Sequence, residues 1–406
     1  MLERISLDDA RAFIVSSIGF REPRQELVPL AQALDRTLGQ VLRAPFALPE
    51  FTNSAMDGYA VRAADLNGAP VTLPLSQTQL AGVTTRQALQ PGSCARVTTG
   101  AALPLESDAV VVQENVRLST QGVHFAGPVA VGTHVRRAGE DFAQGAVLLC
   151  AGQRLGPAEL AALASCGYRE VQVYVRPKVA ILATGSELVA PGEARQPGQI
   201  FDSNRYALAA LVSALGGEPV LLPLLPDRPE QISEALSLAA AQADLILTSG
   251  GASVGDADWL PRVLAELGRV HFWRVRMKPG MPALFGAIAK TPVLALPGNP
   301  ISVFMSFLCL AKPALELLCG RAVSPLHGYW MPLAHRIDKT HPRREFVRAS
   351  RLYDPAGGSL VSTGDQGSAR HSSLLGAEGA LDLPEGARLF AAGELVHFLP
   401  FVQWQR

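Results

Sequence analysis

Hydrophobic and polar positions change texture several times along this chain. Residues 6–18 and 29–38 carry helical patterns, and the first opens on Ser6 with Asp9 three positions on, a capping-box spacing that satisfies the orphan amides of a helix start. From residue 44 to about 135, short extended runs such as VTLPL and DAVVVQ stand among Pro, Gly and Thr, which predicts a β-rich module with long loops. Helical spacing returns over 156–167 (GPAELAALASCG) and stops at a glycine, so the β-rich stretch reads as an insertion into a unit built from both of its flanks.

Between residues 178 and 320, strand, glycine-bearing turn and helix repeat. VAILA at 179–183 leads into TGSEL, and SNRYALAALVSALGG at 203–217 predicts a helix capped by Ser203 and stopped at Gly216. PVLLP at 219–223 predicts a strand, after which Asp227 is expected to cap a helix over 229–242 with Pro229 in its first turn. DLILTSGG at 244–251 and VLALPGN at 293–299 are apolar runs ending in turn residues, the pattern of parallel strands buried on both faces. The C-terminal stretch holds short strands, EFVRAS and LFAAGELVHFLPF, between Gly-rich turns, consistent with a small antiparallel barrel or sandwich. The predicted class is α/β plus β, in four units. Residues 1–44 join 136–177 in an elongated N-terminal unit, 45–135 form the inserted β-rich domain, 178–326 a central α/β domain with a parallel sheet, and 327–406 a C-terminal β-barrel-like domain.

Composition narrows the function. The 406 residues are 48% apolar and 18% charged, enough apolar volume for several cores and unlike a disordered chain. Thirty-six cations balance 36 acids, so no global field recruits nucleic acid or an anionic membrane, and a charged ligand must be held by local groups. Cys94, Cys150, Cys166, Cys309 and Cys319 are scattered without a C-x-x-C, which argues for reduced thiols in a cytosol. Charges in the opening MLERISLDDARAF stand where a signal peptide needs its apolar core. The most apolar stretch, 301–311, meets Lys312 and Pro313 and falls short of the roughly 20 residues of a bilayer span. It reads as a buried helix, and the expected compartment is the cytoplasm.

In an open parallel sheet, ligands bind at the carboxyl ends of the strands, where turns vary and helix amino termini aim their amides. Three loops have that address: 184–188 (TGSEL), 249–258 (SGGASVGDAD) and 297–302 (PGNPIS). Their glycines let backbone approach a bulky anion, and hydroxyls and free amides satisfy its oxygens. G-x-G-x-x-G and G-x-x-x-x-G-K-[ST] are absent, which disfavours a dinucleotide fold or P-loop ATPase. Gly251 to Gly255 fits G-x-S-x-G with Ser253 as nucleophile, but two aspartates and Pro261 follow and no HGGG-type oxyanion loop accompanies it. The eight histidines show no zinc spacing. Glu187, Asp227, Asp256 and Asp258 offer hard oxygen ligands suited to magnesium shared with substrate phosphates, and Arg274, Arg276 and Lys278 form a cationic turn for a phosphate or oxyanion.

Taken together and in order, NSAMDGYA (53–60), TTGA (98–101), RRAGEDF (136–142), TGSEL, TSGGASVGDAD (248–258), KPG (278–280), PGNP (297–300) and the QGS of the last domain resemble the molybdopterin molybdenumtransferases, the family that includes the enzymatic E domain of gephyrin. The resemblance runs over almost the whole chain. It implies an L-shaped homodimer in which the N-terminal unit serves dimerisation and the α/β domain, of molybdopterin-binding type, faces the partner's inserted β module across a cleft. It implies that molybdate and adenylylated molybdopterin give molybdenum cofactor and AMP with a divalent metal, usually magnesium. A molybdopterin adenylyltransferase would supply the substrate, and molybdoenzyme-maturation proteins would take the product.

Carried over motif by motif, the resemblance implies that Asp57 and Thr99 reach the cleft from the partner subunit, with Asp141 in a similarly implicated segment. Glu187, Asp227 and Asp258 are implied as metal ligands or water-positioning acids, and Arg274 and Lys278 as oxyanion or phosphate ligands. Thr184, Gly185, Ser249, Gly250 and Gly251 are implied for the phosphate cradle, and Pro297, Gly298, Asn299 and Pro300 for the loop that molybdate approaches. Two departures stand out. Ser186 replaces the aspartate common in the family's TGDEL, which leaves the metal count open, and Arg274 stands where lysine is frequent, a planar fork for a compact ammonium. Two other readings remain open on the residues: a scaffold presenting a peptide groove, as gephyrin does, and a hydrolase built on Ser253.

Overall fold

The computed structural model describes residues 2–19, 23–83, 86–251, 259–354 and 357–401. Its centre is a seven-stranded mixed sheet of β1 (Leu2–Ile5), β2 (Lys178–Ala183), β3 (Glu218–Leu221), β4 (Leu245–Ser249), β5 (Arg269–Val275), β6 (Leu284–Ile288) and β7 (Thr291–Leu296), in the order β1-β5-β6-β7-β4-β2-β3. The α-helices among the described residues are α1 (Leu7–Ile18), α2 (Pro157–Ser165), α3 (Asn204–Ala214), α4 (Pro229–Gln242), α5 (Leu260–Leu267), α6 (Pro300–Leu318) and α7 (His371–Leu375). Apolar faces of α1, α3 and α6 cover one side of the sheet, and those of α4 and α5 the other. The four strands β7, β4, β2 and β3 are parallel neighbours. β6 runs against both β5 and β7, because only Ala289 and Lys290 link β6 to β7, far too few residues for a parallel crossover.

Several local expectations change in the fold. Residues 2–18, read with the N-terminal unit, belong to the central domain: β1 pairs with β5, and Leu7, Ala10, Ile14 and Ile18 enter the main core. Residues 29–38 are not an α-helix but a single 3-10 turn, Leu30–Gln32, because their amides are claimed from elsewhere: Leu30 N–H donates to Arg169 O, Asp35 to Leu155 O and Leu38 to Gln153 O. Ser203 does not cap α3; Asp202 Oδ1 takes the amides of Asn204 (3.0 Å) and Arg205 (3.2 Å) instead. Asp227 does not cap α4 either, for its carboxylate accepts from Ser186. The Ser6 cap forms as expected, with Asp9 N–H donating to Ser6 Oγ at 3.0 Å.

The segments flanking the inserted module meet: Gln25–Pro29 pairs antiparallel with Glu170–Tyr174, and Leu42–Arg43 with Val147–Leu149. Between them lie a four-stranded sheet around Gly58–Val61 and a three-stranded one around Gly122–Phe125. The C-terminal unit is built on the long strand Arg344–Asp354 in an open sheet. The two-residue strand Met277–Lys278, just beyond β5, joins this sheet and stitches the two domains together.

Helix α6 runs on through Lys312 and Pro313, where the sequence suggested a stop. With mean hydropathy 1.7 it is long and apolar enough to cross a bilayer, but 83% of that window is buried inside the protein, so it is a core helix. A π-helical turn over Phe307–Ala311 accommodates the proline. Pro313 has no amide to give back along the helix, and Arg11 supplies a donor there: Nη1 reaches Cys309 O at 2.6 Å, while Nη2 reaches Ser324 O at 3.0 Å. Replacing Arg11 with Met leaves the Cys309 carbonyl without this donor and should lower stability by about 1–3 kcal/mol. The urea midpoint of Arg11→Met checks this, and an unchanged midpoint contradicts it.

Candidate active site

Ala183, Ser249 and Leu296 sit on one row of the sheet, so β2, β4 and β7 end level and their loops open onto one cavity of about 580 Å³. Thr184, Gly185 and Glu187 line it from the first loop, Ser249, Gly250 and Gly251 from the second, and Gly298, Asn299 and Pro300 from the third. Pro297 is buried beneath the last loop and forms no part of the wall. Gly250 and Gly251 have φ of 88° and 67°, and a Cβ on Gly250 would lie 2.5 Å from the Thr184 carbonyl oxygen. Only glycine lets the second loop run that close to the first.

Asp227 joins Glu187 in the cavity wall. The Asp227 carboxylate accepts from the Ser186 amide at 3.1 Å, and the Ser186 hydroxyl stands 3.4 Å from the same oxygen. Ser186 therefore acts as a donor that steadies Asp227, where an aspartate would repel it. Asp256 and Asp258, with Ser253, lie outside the described residues. Among the described residues no group of three or more His, Cys, Asp or Glu could hold a metal. The two carboxylates do suit magnesium, which binds through one or two carboxylates and completes its shell with water and phosphate oxygens.

Residues that sequence reasoning passed over complete the cavity. Asn204, in the first turn of α3, donates through Nδ2 to Ser249 Oγ (2.8 Å) and to Gly298 O (2.7 Å), tying the second loop to the third. Ile200 and Phe201 give an exposed apolar rim, and His371 closes the wall from the C-terminal unit. No spacing in the sequence marks Asn204, whose partners are 45 and 94 residues away.

A second cavity, of about 560 Å³, lies where the central and C-terminal domains meet, lined by Lys278, Ser302, Arg343, Glu345, Arg348 and Ser368 among others. The two cavities share a thin partition: Ile301 N–H donates to Ser368 O at 3.0 Å, with Ala369 and His371 facing the first cavity and 365–368 the second. Lys278 thus stands in the second cavity, apart from Glu187 and Asp227. Arg274 lines neither cavity; it has φ of 67° and lays its guanidinium 4.4 Å over the Trp273 ring.

Asp57, Thr99 and Asp141 line neither of the two cavities of their own chain. Asp57 Oδ1 accepts from the Thr99 amide (2.6 Å) and hydroxyl (2.8 Å), which holds its carboxyl below the ordinary aspartate value, the amide being the larger cause. Asp141 is exposed, its amide donating to Leu48 O.

Comparison with known proteins bears on the whole chain. Family models match in succession: "MoeA N-terminal region (domain I and II)" over residues 5–167, "Probable molybdopterin binding domain" over 180–317, and "MoeA C-terminal region (domain IV)" over 331–401. The molybdopterin molybdenumtransferase of Haemophilus influenzae is 36% identical over 98% of both chains. Molybdopterin molybdenumtransferase 2 of Mycobacterium tuberculosis is 38% identical over 92% of this chain and 94% of its own. The crystal structure of the molybdopterin biosynthesis moeA protein from Pyrococcus horikoshii superposes with a TM-score of 0.83 at 30% identity, covering 97% of this chain and 99% of that one.

Two outcomes follow from the geometry. Asn204→Asp removes both donor bonds between the loops and should speed amide exchange in 249–251 and 298–300 at least tenfold; exchange at the wild-type rate contradicts the clamp. A lowered folded-state pKa means that the stabilisation from Asp57 is present above its unfolded value and is lost as pH falls through the folded value. Carboxyl NMR of Asp57 should therefore show titration below the free aspartate range, moving up in Thr99→Val, and identical titration in both proteins contradicts it.

Proposed function

The chain belongs to the molybdopterin molybdenumtransferase family and inserts molybdenum into molybdopterin; we propose that its substrates are adenylylated molybdopterin and molybdate and that AMP is the leaving group. The observation that carries this reading is the pairing of two cavities across one partition, Glu187 and Asp227 beside glycine-rich loops on one side and Lys278, Arg343 and Arg348, set against Glu345 and Asp365, on the other. In the first cavity, the glycine backbone of 185 and 250–251 makes room for the phosphates beside the Ser249 hydroxyl, the amides of Thr184, Gly185 and Gly250 being bonded to the carbonyls of Ser249, Leu225 and Leu296, and Asn204 keeps the loops in place. Water adds across the phosphoanhydride, so that one phosphate leaves as AMP and the other stays on the pterin.

Glu187 and Asp227 would hold a magnesium ion, with Asp258 of the TSGGASVGDAD motif as the third acid that the resemblance implies; when bound, such an ion offsets the negative charge that phosphates bring against the carboxylates. Glu187, whose oxygens lie so close to the Gly185 backbone that a Cβ there would stand 2.9 Å from both, is the acid assigned to orient the attacking water. In the second cavity, Lys278 and Arg343 at the walls and the deeply buried Arg348 offer donors to tetrahedral molybdate, with Ser302 and Ser368 nearby. Arg274, turned onto Trp273, is left out of this set.

The same reading makes the protein a homodimer, with Asp57 and Thr99 presented to the partner's first cavity and Asp141 near the joint of the inserted module. A molybdopterin adenylyltransferase supplies the substrate, and maturation proteins for molybdoenzymes accept the product. All five cysteines are unpaired thiols, in keeping with a reducing cytoplasm.

AMP release from adenylylated molybdopterin, followed with and without molybdate and magnesium, tests the reaction, and release should need both. Glu187→Gln and Asp227→Asn should each lower the rate at least a hundredfold without lowering the melting temperature by more than a few degrees. Wild-type rates in both variants would remove these acids from the mechanism.

A further inference from the structure

The second cavity contains an acid that an anion pocket does not obviously need. Glu345 is buried, its Oε1 lies 2.8 Å from Lys278 Nζ, and its Oε2 lies 3.1 Å from His341 Nε2. Lys278 and Glu345 are also register partners where Met277–Lys278 runs parallel to Arg344–Asp354, so the backbone sets the pair before either side chain selects a rotamer. Gly280 is part of the same setting: a Cβ there would lie 2.4 Å from Ser306 Oγ, so the turn after the lysine packs against α6 as only glycine can.

The pair is lopsided. The Lys278 side chain is 41% exposed and that of Glu345 only 11%, so the ammonium faces the opening while its counter-charge grips it from within. Behind Glu345, Lys339 Nζ donates to His341 O at 2.9 Å. Asp365, the other acid of the cavity wall, is paired with Arg370 at 3.2 Å, so Glu345 is the acid committed to Lys278.

We propose that Glu345 is a positioning residue: it fixes Lys278 Nζ for the insertion step and, through its own charge, holds down the resting affinity of the second cavity for tetrahedral oxyanions. The inference rests on the reading of that cavity as the molybdate pocket. A lysine has four flexible side-chain bonds, and an ammonium tethered at one oxygen meets the reacting anion in one geometry instead of many. A carboxylate near the bound dianion repels it, so ground-state binding is weak while orientation is kept, the combination that favours turnover over capture.

Glu345→Gln separates these effects. Its dissociation constant for molybdate, measured calorimetrically on the full protein without pterin, should fall at least fivefold, while kcat for insertion should drop at least tenfold. A residue that served packing alone would not tighten binding when its charge is removed. Lys278→Met should weaken molybdate binding at least twentyfold, and the double variant Lys278→Met, Glu345→Gln should recover part of that loss. If Lys278→Met binds molybdate like wild type, the assignment of the pocket is wrong. If Lys278→Met weakens binding but Glu345→Gln binds no tighter than wild type, the pocket assignment stands and the role given to Glu345 falls. Should Glu345→Gln fail to fold, comparison of Lys278→Met with Lys278→Met, Glu345→Asp decides the point, because a carboxylate of either length must keep binding as weak as in the single variant, and a recovery overturns the proposal.

Discussion

The level ending of three parallel strands is the constraint on which the rest depends. Because Ala183, Ser249 and Leu296 share a row, three loops distant in sequence begin at the same height and point the same way. Hydrogen bonding within the sheet thereby does what no loop could do alone, presenting glycine-lined backbone from three directions to one volume. Asn204 finishes the work by bonding two of those loops to a helix terminus. Beside this, the inserted module and the C-terminal sheet are additions that supply side chains to an existing frame.

Separation of charge is the second theme. Phosphates and an oxometalate are all anions, and a single pocket for them would gather repulsion. On the proposed reading, two cavities divided by the 297–301 segment and the strip 365–371 keep these anions apart, one lined by glycine backbone and two carboxylates, the other holding lysine and two arginines against Glu345 and Asp365. The partition is only a backbone hydrogen bond thick, between Ile301 and Ser368. Reactants held on its two sides are close neighbours without sharing donors.

Much of this was legible in the sequence where the determinants are local. A βα turn announces itself through its glycines, so Thr184 to Glu187, Ser249 to Gly251 and Gly298 to Pro300 were placed correctly as loops of one face. What escaped depends on distant partners. Residues 29–38 have helical composition, yet amide donors there go to Arg169, Leu155 and Gln153, and tertiary pairing overrode propensity. Arg274 and Lys278 looked like one cationic turn. The chain leaves the central sheet after Val275 and enters the C-terminal one at Met277, so the two side chains part, one to Trp273 and one to Glu345. Asn204 was hidden for the same reason, its partners lying across the fold, whereas Asp202 caps α3 locally, one residue before the Ser203 that the sequence suggests.

The central claim is that oxyanion and phosphates occupy different sides of that partition. Crystals soaked in molybdate and measured at the molybdenum absorption edge test it most directly, since the metal announces its own position. The account predicts one anomalous peak in the second cavity, within hydrogen-bonding reach of Lys278 or Arg348 through its oxygens. A peak confined to the first cavity, beside Glu187 and Asp227, would contradict it.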